Sequence, residues 1–216
     1  MATLNDYLTQ TRRIVHDANA TYWSDTNLTA YINQAIKQRD WDSGQNQAIQ
    51  SITLTPGQNT YIVNAAPFLT TTISVMGIIL VLGNYRYQLS QVSYSELGSL
   101  YQPYQGYQNI STAFAYHGAT TVILAPTPQQ AYPTEWDTLQ AAADLVALTD
   151  PDPLPYPWTD PVPYLAAHFA KIEIQQGNEA EAFLAQYYQR LNSLIGGVRG
   201  QSTPQPYFRS MGGLRG

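Results

Sequence analysis

Apolar residues recur at helical spacing near both ends of the chain and at strand spacing through its middle. Leu4, Tyr7, Leu8, Ile14 and Val15 share one helical face, behind Thr3 and Asp6, which can form a reciprocal cap. They predict a helix over 3–18. Leu28, Tyr31, Ile32, Ala35 and Ile36 form a second stripe over 24–42, with Ser24 or Thr26 as its start signal. The polar run Ser43-Gly44-Gln45-Asn46-Gln47 ends this pair. Strand patterns follow at 49–55, 60–63, 71–82, 85–92, 112–117, 120–125 and 134–142, parted by Pro-Gly, Gly-Asn and proline-containing turns. Within them, Ile52 to Val63 reads as a hairpin about Pro56-Gly57, Ile73 to Leu82 as a buried strand, and Ser93 to Leu100 as one helical turn.

Nine of the 14 prolines lie between Pro126 and Pro163, including the run Asp150-Pro151-Asp152-Pro153-Leu154-Pro155-Tyr156-Pro157. Proline fixes φ and removes a donor, so this run predicts an extended, stiff connection. Asp160 can then cap a helix with Pro161 in its first turn, and Val162, Leu165, Ala166, Phe169 and Ile172 line one face. Gly177 breaks it, and Phe183, Leu184, Tyr187, Leu191 and Leu194 mark a last helix over 178–195. The fold class is therefore α+β: a helical bundle built from the N- and C-terminal helices, with an all-β insertion and an extended C-terminal arm. The units are 1–48 and 161–195 for the helical body, 49–149 for the β-rich insertion, 150–160 for the proline-rich connection and 196–216 for the arm.

Two short repeats stand apart from this pattern. Gly196-Gly197-Val198-Arg199-Gly200 recurs as Gly212-Gly213-Leu214-Arg215-Gly216, and glycine this dense, with few apolar residues, predicts a segment that does not hold a helix and is mobile until bound. Tyr101-Gln102-Pro103, Tyr104-Gln105-Gly106 and Tyr107-Gln108-Asn109 make an uncharged aromatic loop. Tyrosine offers large contact area at little rotamer cost, so Tyr101, Tyr104 and Tyr107 suit an assembly contact.

Composition narrows the chemistry. A chain of 216 residues buries roughly 70% of its unfolded surface and needs no staples. The absence of cysteine removes disulfides, thiolate nucleophiles and thiolate metal sites, and fits assembly in a reducing cytoplasm. The longest apolar run is too short for the roughly 20 residues of a membrane helix, and the amino terminus lacks an export signal. Net charge is −5, unevenly spread. No Lys or Arg stands between Arg86 and Lys171, whereas Glu96, Glu135, Asp137, Asp144, Asp150, Asp152 and Asp160 do. After Arg190 only Arg199, Arg209 and Arg215 carry charge, so an acidic body and a cationic tail address different partners.

Catalytic patterns are sparse. His16, His117 and His168 have no metal-binding spacing, and no nucleophile elbow, phosphate loop or dinucleotide fingerprint occurs. No cofactor is implied. Glu135 and Asp137 flank Trp136, which describes either a solvated acidic strand face or a glycosidase acid pair beside a sugar-stacking aromatic.

The order Arg12-Arg13-Ile14 to Asp17, then Trp23, Ser24, Asp25, Leu28, Tyr31, Ile32 and Asn33, resembles the head-to-tail adaptor (connector) proteins of tailed bacteriophages, especially the short-tailed ones. The strand-rich middle, Ala166 to Lys171 and Gly177 to Ala182 extend the resemblance along most of the chain. It implies a non-enzymatic virion component at the head-tail interface, assembled in the host cytoplasm. Such a protomer forms a ring of about twelve copies, docks beneath the portal protein, meets a tail nozzle or tail tube and fibre proteins, and leaves a channel for DNA ejection. It also implies a carboxy-terminal arm inserted between portal subunits, for which Arg199, Tyr207, Phe208, Arg209 and Arg215 have suitable chemistry. An acidic body then suits a conduit through which DNA passes without specific binding. Another tail component, either tail tube or fibre-attachment protein, and a carbohydrate-active domain are the alternatives.

Overall fold

Helix α1 (Leu4–Val15) begins where Thr3 accepts from the backbone N–H of Asp6 and the Asp6 carboxylate accepts from that of Thr3. It stops at His16, which adopts the left-handed conformation at φ 60°. Helix α2 (Asp25–Ser43) is capped by the Ser24 hydroxyl, which accepts from Asn27 N–H at 3.2 Å. It ends at Gly44, whose φ of 63° an ordinary side chain resists. The computed structural model describes residues 1–101 and 108–202, with helix residues 99–101 and 198–202 described by their backbone alone.

Two further long helices, α4 (Val162–Glu173) and α5 (Gly177–Ser202), come from the other end of the chain. Leu4, Tyr7 and Leu8 of α1, Leu28, Ile32 and Ile36 of α2, Leu165, Ala166 and Ala170 of α4, and Tyr187 and Leu191 of α5 form one buried cluster. Small alanines on α4 let its neighbours approach closely, and the apolar stripes read from sequence are the faces that meet.

The middle of the chain builds a second core between strands. One sheet has the order β1-β10-β3-β4, all antiparallel, from β1 (Gln47–Thr53), β3 (Thr72–Leu82), β4 (Tyr85–Gln88) and β10 (Pro133–Gln140). The other has the order β2-β8-β7-β5, from β2 (Thr60–Ile62), β5 (Ser90–Gln91), β7 (Ala113–His117) and β8 (Thr121–Ala125), with β5 and β7 parallel. A short parallel pair joins β6 (Gln108–Asn109) to β9 (Thr127–Pro128), and α3 (Tyr94–Tyr101) precedes them. Trp136 lies at the centre, fully buried. Its ring meets Phe68 edge-on at 4.9 Å and Tyr61 at 5.5 Å, and its Nε1 donates to Thr134 Oγ1 at 2.6 Å.

Five local expectations need correction. The segment from Ile52 to Val63 is not a hairpin: β1 pairs with β10 and β2 with β8, so the Pro56-Gly57 turn carries the chain from one sheet to the other. The predicted strand over 85–92 is likewise divided at Leu89 between the two sheets. Strand β3 is only partly buried, because one face of the sheet points away from the core, and a register shift opposite Asp137 and Thr138 leaves Met76 unpaired and exposed. The proline-rich connection folds into turns rather than an extended rod, with Trp158, Asp160 and Val162 N–H bonded to Pro155, Pro157 and Thr159. Asp160 does not cap α4, whose N-cap position holds Pro161 without a side-chain bond, and pairs instead with Arg190.

Helix α5 also continues through Gly196-Gly197 to Ser202, seven residues past the predicted end at 195. Glycine costs about 1 kcal/mol relative to alanine within a helix, which weakens a turn without forbidding it. The preceding turn is held because Ile195 packs on the helical core.

Trp136→Ala is expected to destabilise the strand unit by about 3–5 kcal/mol. Urea titration followed by circular dichroism measures it, and a loss below about 1 kcal/mol would contradict a load-carrying position for this ring.

Candidate assembly surfaces and the node between the two cores

The chain crosses between the helical and strand cores twice, at 43–47 and at 140–142, and one carboxylate holds both crossings. Asp40, in the last turn of α2, accepts through Oδ2 from Asn46 Nδ2 at 2.9 Å and from Ala142 N–H at 2.8 Å. Its Oδ1 accepts from Arg39 Nη2 at 2.7 Å and Nε at 3.1 Å. Arg39 reaches onward to Asp152 with Nη1 at 2.7 Å and Nη2 at 3.1 Å. Tyr7 of α1 donates to Asp152 Oδ2 at 2.6 Å, and Leu154 N–H to Oδ1 at 2.8 Å. Asp152 N–H closes the network on Ala2 O at 2.8 Å.

Arg39, Asp40 and Asp152 are completely buried. One guanidinium faces two carboxylates, and the excess negative charge is met by the Tyr7 hydroxyl, the Asn46 amide and the N–H groups of Ala142 and Leu154. Burial alone would lower the Arg39 pKa, but Asp152 and Asp40 outweigh it and raise it. Burial, then the Asp152 charge, pushes the Tyr7 phenol far up, so it remains a donor. A smaller contact repeats the device: Tyr187 of α5 donates to Asp42 Oδ2 at 2.8 Å, and burial followed by Asp42 raises its pKa.

None of these groups was a candidate from sequence. A signal was nonetheless present, since Arg39 and Asp40 stand three and four residues beyond Ile36, on the continuation of the apolar stripe of α2. Charges at such positions require buried partners.

The amino-terminal motif residues gather at the entry to α2. Trp23 is buried, with Lys171 Nζ 5.8 Å from its ring centre. Ser24 caps the helix, and Asp25 in its first turn accepts from Arg12 Nη2 at 2.6 Å. The same Nη2 donates to Trp23 O at 3.0 Å, and Nη1 to Asp17 Oδ2 at 3.2 Å. Burial opposes ionisation of Asp17, but the N–H groups of Trp23, Thr21 and Tyr22, together with Arg12, hold its carboxyl below the usual range. Leu28 is fully buried. Tyr31 donates to Glu173 Oε2 at 2.5 Å, and burial with Glu173 pushes its pKa up to about 12. Asn33 clasps Leu145 from both sides, donating to its O at 3.0 Å and accepting from its N–H at 2.9 Å. These residues tie α1, α2, α4 and the 142–148 segment into one piece.

Exposed apolar side chains remain on both units: Tyr22, Trp41, Val146, Leu148 and Tyr156 beside the helical core, and Ile49, Met76, Tyr85 and Tyr87 on the strands. A shallow groove of about 890 Å³ runs between α1, α2 and residues 144–148. The sequence candidates for assembly fall elsewhere. Tyr101 ends α3 and Arg199 lies within α5, both described by backbone alone, whereas Tyr104, Tyr107, Tyr207, Phe208, Arg209 and Arg215 lie outside the described residues.

The glycosidase arrangement is overturned by the strand geometry. Trp136 points into the core on the opposite face from Glu135 and Asp137, so its ring does not stand beside the carboxylates. Glu135 Oε1 instead accepts from Arg86 Nη2 at 2.7 Å. Among the described residues no cluster could hold a metal ion, and no helix is long and apolar enough to cross a membrane. His168 Nδ1 donates to Ala180 O at 2.8 Å, joining α4 to α5.

The family model described as SU10 adaptor protein matches residues 2–212, and the chain belongs to that family of phage adaptor proteins, which is structural rather than enzymatic. Membership makes the protein a bacteriophage virion component that associates with other head and tail parts. No curated protein matches the chain.

Arg39→Ala would leave two buried carboxylates facing each other, and is expected to cost about 3–5 kcal/mol in a denaturant titration. A cost under about 1 kcal/mol would show that the node is dispensable. The pH dependence has a definite sign. The folded pKa of Asp17 lies below the ordinary 3.8, so its contribution is complete above 3.8 and is lost as pH falls through the folded value. Asp6 and Asp150 act in the same sense. Urea midpoints followed from about pH 5 to pH 2 should fall more steeply for the wild type than for Asp17→Asn; parallel curves would contradict the assignment.

Proposed function

We propose that this adaptor forms a ring, on the order of twelve copies, beneath the portal of a short-tailed phage and joins it to the tail nozzle or tube. The observation that carries the reading is the adaptor-family match over 2–212. In this reading the four long helices are the ring-forming body, residues 49–149 are an insertion that reaches tail and fibre components, and 196–216, whose first seven residues continue α5, are the arm that latches onto the portal. The two separate cores support a helical and a strand unit, with Ala142 and Leu145 at the end of the insertion packed into the helical one.

Partner chemistry follows from side-chain type. Tyr207 and Phe208 fill apolar pockets of the portal, and Arg199, Arg209 and Arg215 pair with its carboxylates. Tyr101, Tyr104 and Tyr107 meet a neighbouring copy or a tail part. The ring forms on the portal, where the arm meets its partner surface. DNA passes a wall that does not grip phosphates: each cationic contact would add a salt-dependent binding term, and the chain from Tyr87 to Ala170 holds no Lys or Arg.

Truncation after Ser202 leaves every described element intact and removes Tyr207, Phe208, Arg209 and Arg215. The shortened protein should keep its helical content and Tm while no longer sedimenting with portal-bearing heads. Attachment at undiminished affinity would place the interface in the helical body instead.

A further inference from the structure

An antiparallel strand sends alternate backbone N–H and C=O groups to its two sides, so the bonds that are made identify those left over. Gln140 N–H donates to Asn46 O and Leu54 N–H to Tyr132 O, which assigns the even-numbered residues of β1 to the ladder with β10. The N–H and C=O groups of Ile49, Ser51 and Thr53 therefore face an edge that is open among the described residues. On the opposite edge, Leu89 N–H donates to Ile78 O, which assigns Tyr85 and Tyr87 to the ladder with β3 and turns those of Arg86 and Gln88 outward.

Neither edge carries the usual guards of free charge or proline. Strand β1 has seven residues, Gln-Ala-Ile-Gln-Ser-Ile-Thr, without charge, proline or glycine. The one charge on β4, Arg86, is held by Glu135 of its own sheet at 2.7 Å. In the second sheet the edges β2 and β5 have only three and two residues, which is protection by shortness. Side chains at the open edges are also uncovered: Ile49 and Tyr85 are each 70% exposed and Tyr87 is 52% exposed.

Direction decides the occupant. Each neighbouring pair in β1-β10-β3-β4 is antiparallel, so β1 and β4 run in opposite senses. Strand β4 of one copy laid beside β1 of another therefore continues the antiparallel alternation. That contact is head-to-tail and can repeat, as a closed ring requires. We infer that β1 and β4 are the two halves of a lateral contact between copies of this chain, an inference that rests on the ring reading above. Opposing Ile49 to Gln88 and Ser51 to Arg86 joins the free backbone groups of both edges. The same register sets Tyr87 opposite Gln50 and Tyr85 opposite Ile52, on the inner face, where both rings lose their exposure to the neighbour.

The chain has no cysteine, so a paired-cysteine test is clean. Within one copy, Ile49 and Gln88 are separated by β10 and β3, three inter-strand spacings or about 14 Å, well beyond the Cα separation of ~7 Å that a disulfide tolerates. Ile49→Cys/Gln88→Cys in the full chain, concentrated alone and added to portal-bearing heads, is oxidised with diamide and run on a non-reducing gel. A ladder of covalent multiples of 24.0 kDa is expected, with each single variant reaching dimers at most. Ser51→Cys/Gln88→Cys covers a register displaced by two residues. If neither double variant exceeds its singles, the strand pairing is overturned, and electron micrographs of rings in that sample would show that the adaptor reading survives without it. Single Ile49→Cys linking as fully as the double variant would overturn it too, since that marks a two-fold β1-to-β1 contact.

Discussion

A buried guanidinium shared between two carboxylates is the constraint on which the rest of this structure depends. Arg39 cannot be solvated where it lies, and the carboxylates of Asp40 and Asp152 both bond to it. Because their remaining lone pairs are met by Tyr7, Asn46, Ala142 and Leu154, the charges can be satisfied only when α1, α2, both crossings and the proline-rich connection are in place together. Such a network adds little net stability compared with an apolar core of equal volume. Its effect is selectivity, since an arrangement without both crossings leaves the buried Asp40 Oδ2 without its Asn46 and Ala142 donors.

That requirement bears on the protein's work as an adaptor. A component that associates with other head and tail parts has to hold its contact surfaces at a set attitude, and a hinge of free residues would let them drift. Here the crossings are short and bonded to one side chain. The Asn33 clasp on Leu145 and the Arg12 contacts with Asp17 and Asp25 brace the segment that leads back to α4 and the entry to α2. Exposed aromatic and aliphatic residues then lie on rigid supports, which lowers the ordering entropy that assembly must overcome.

Much of this was legible in the residues and some was not, for reasons that are physical. Helices α1, α2, α4 and α5 announce themselves because their apolar stripes are long and periodic, and the Thr3 and Ser24 caps set their starts. Strand positions were readable too, but pairing was not. Period-two patterning says that Ile52, Leu54, Tyr61 and Val63 face a core, and nothing local says that the turn at Pro56-Gly57 changes sheets. The proline run misled because proline restricts φ without choosing between an extended rod and a chain of turns. Tyr31 and Asn33 were visible as motif residues, yet their partners Glu173 and Leu145 lie more than a hundred residues away. Asp40 and Asp152 escaped notice for the same reason: an ion pair that spans the chain leaves no local pattern except charge where an apolar residue would be expected.

The central claim is that the node welds two separately cored units into one body, and thermal unfolding of Asp40→Ala tests it most directly. The variant removes the group that holds both crossings and leaves each apolar core untouched. Differential scanning calorimetry of the wild type should show one cooperative transition, and the variant should resolve into two, one for the helical unit and one for the strand unit. A single transition in the variant at the wild-type Tm would contradict the account.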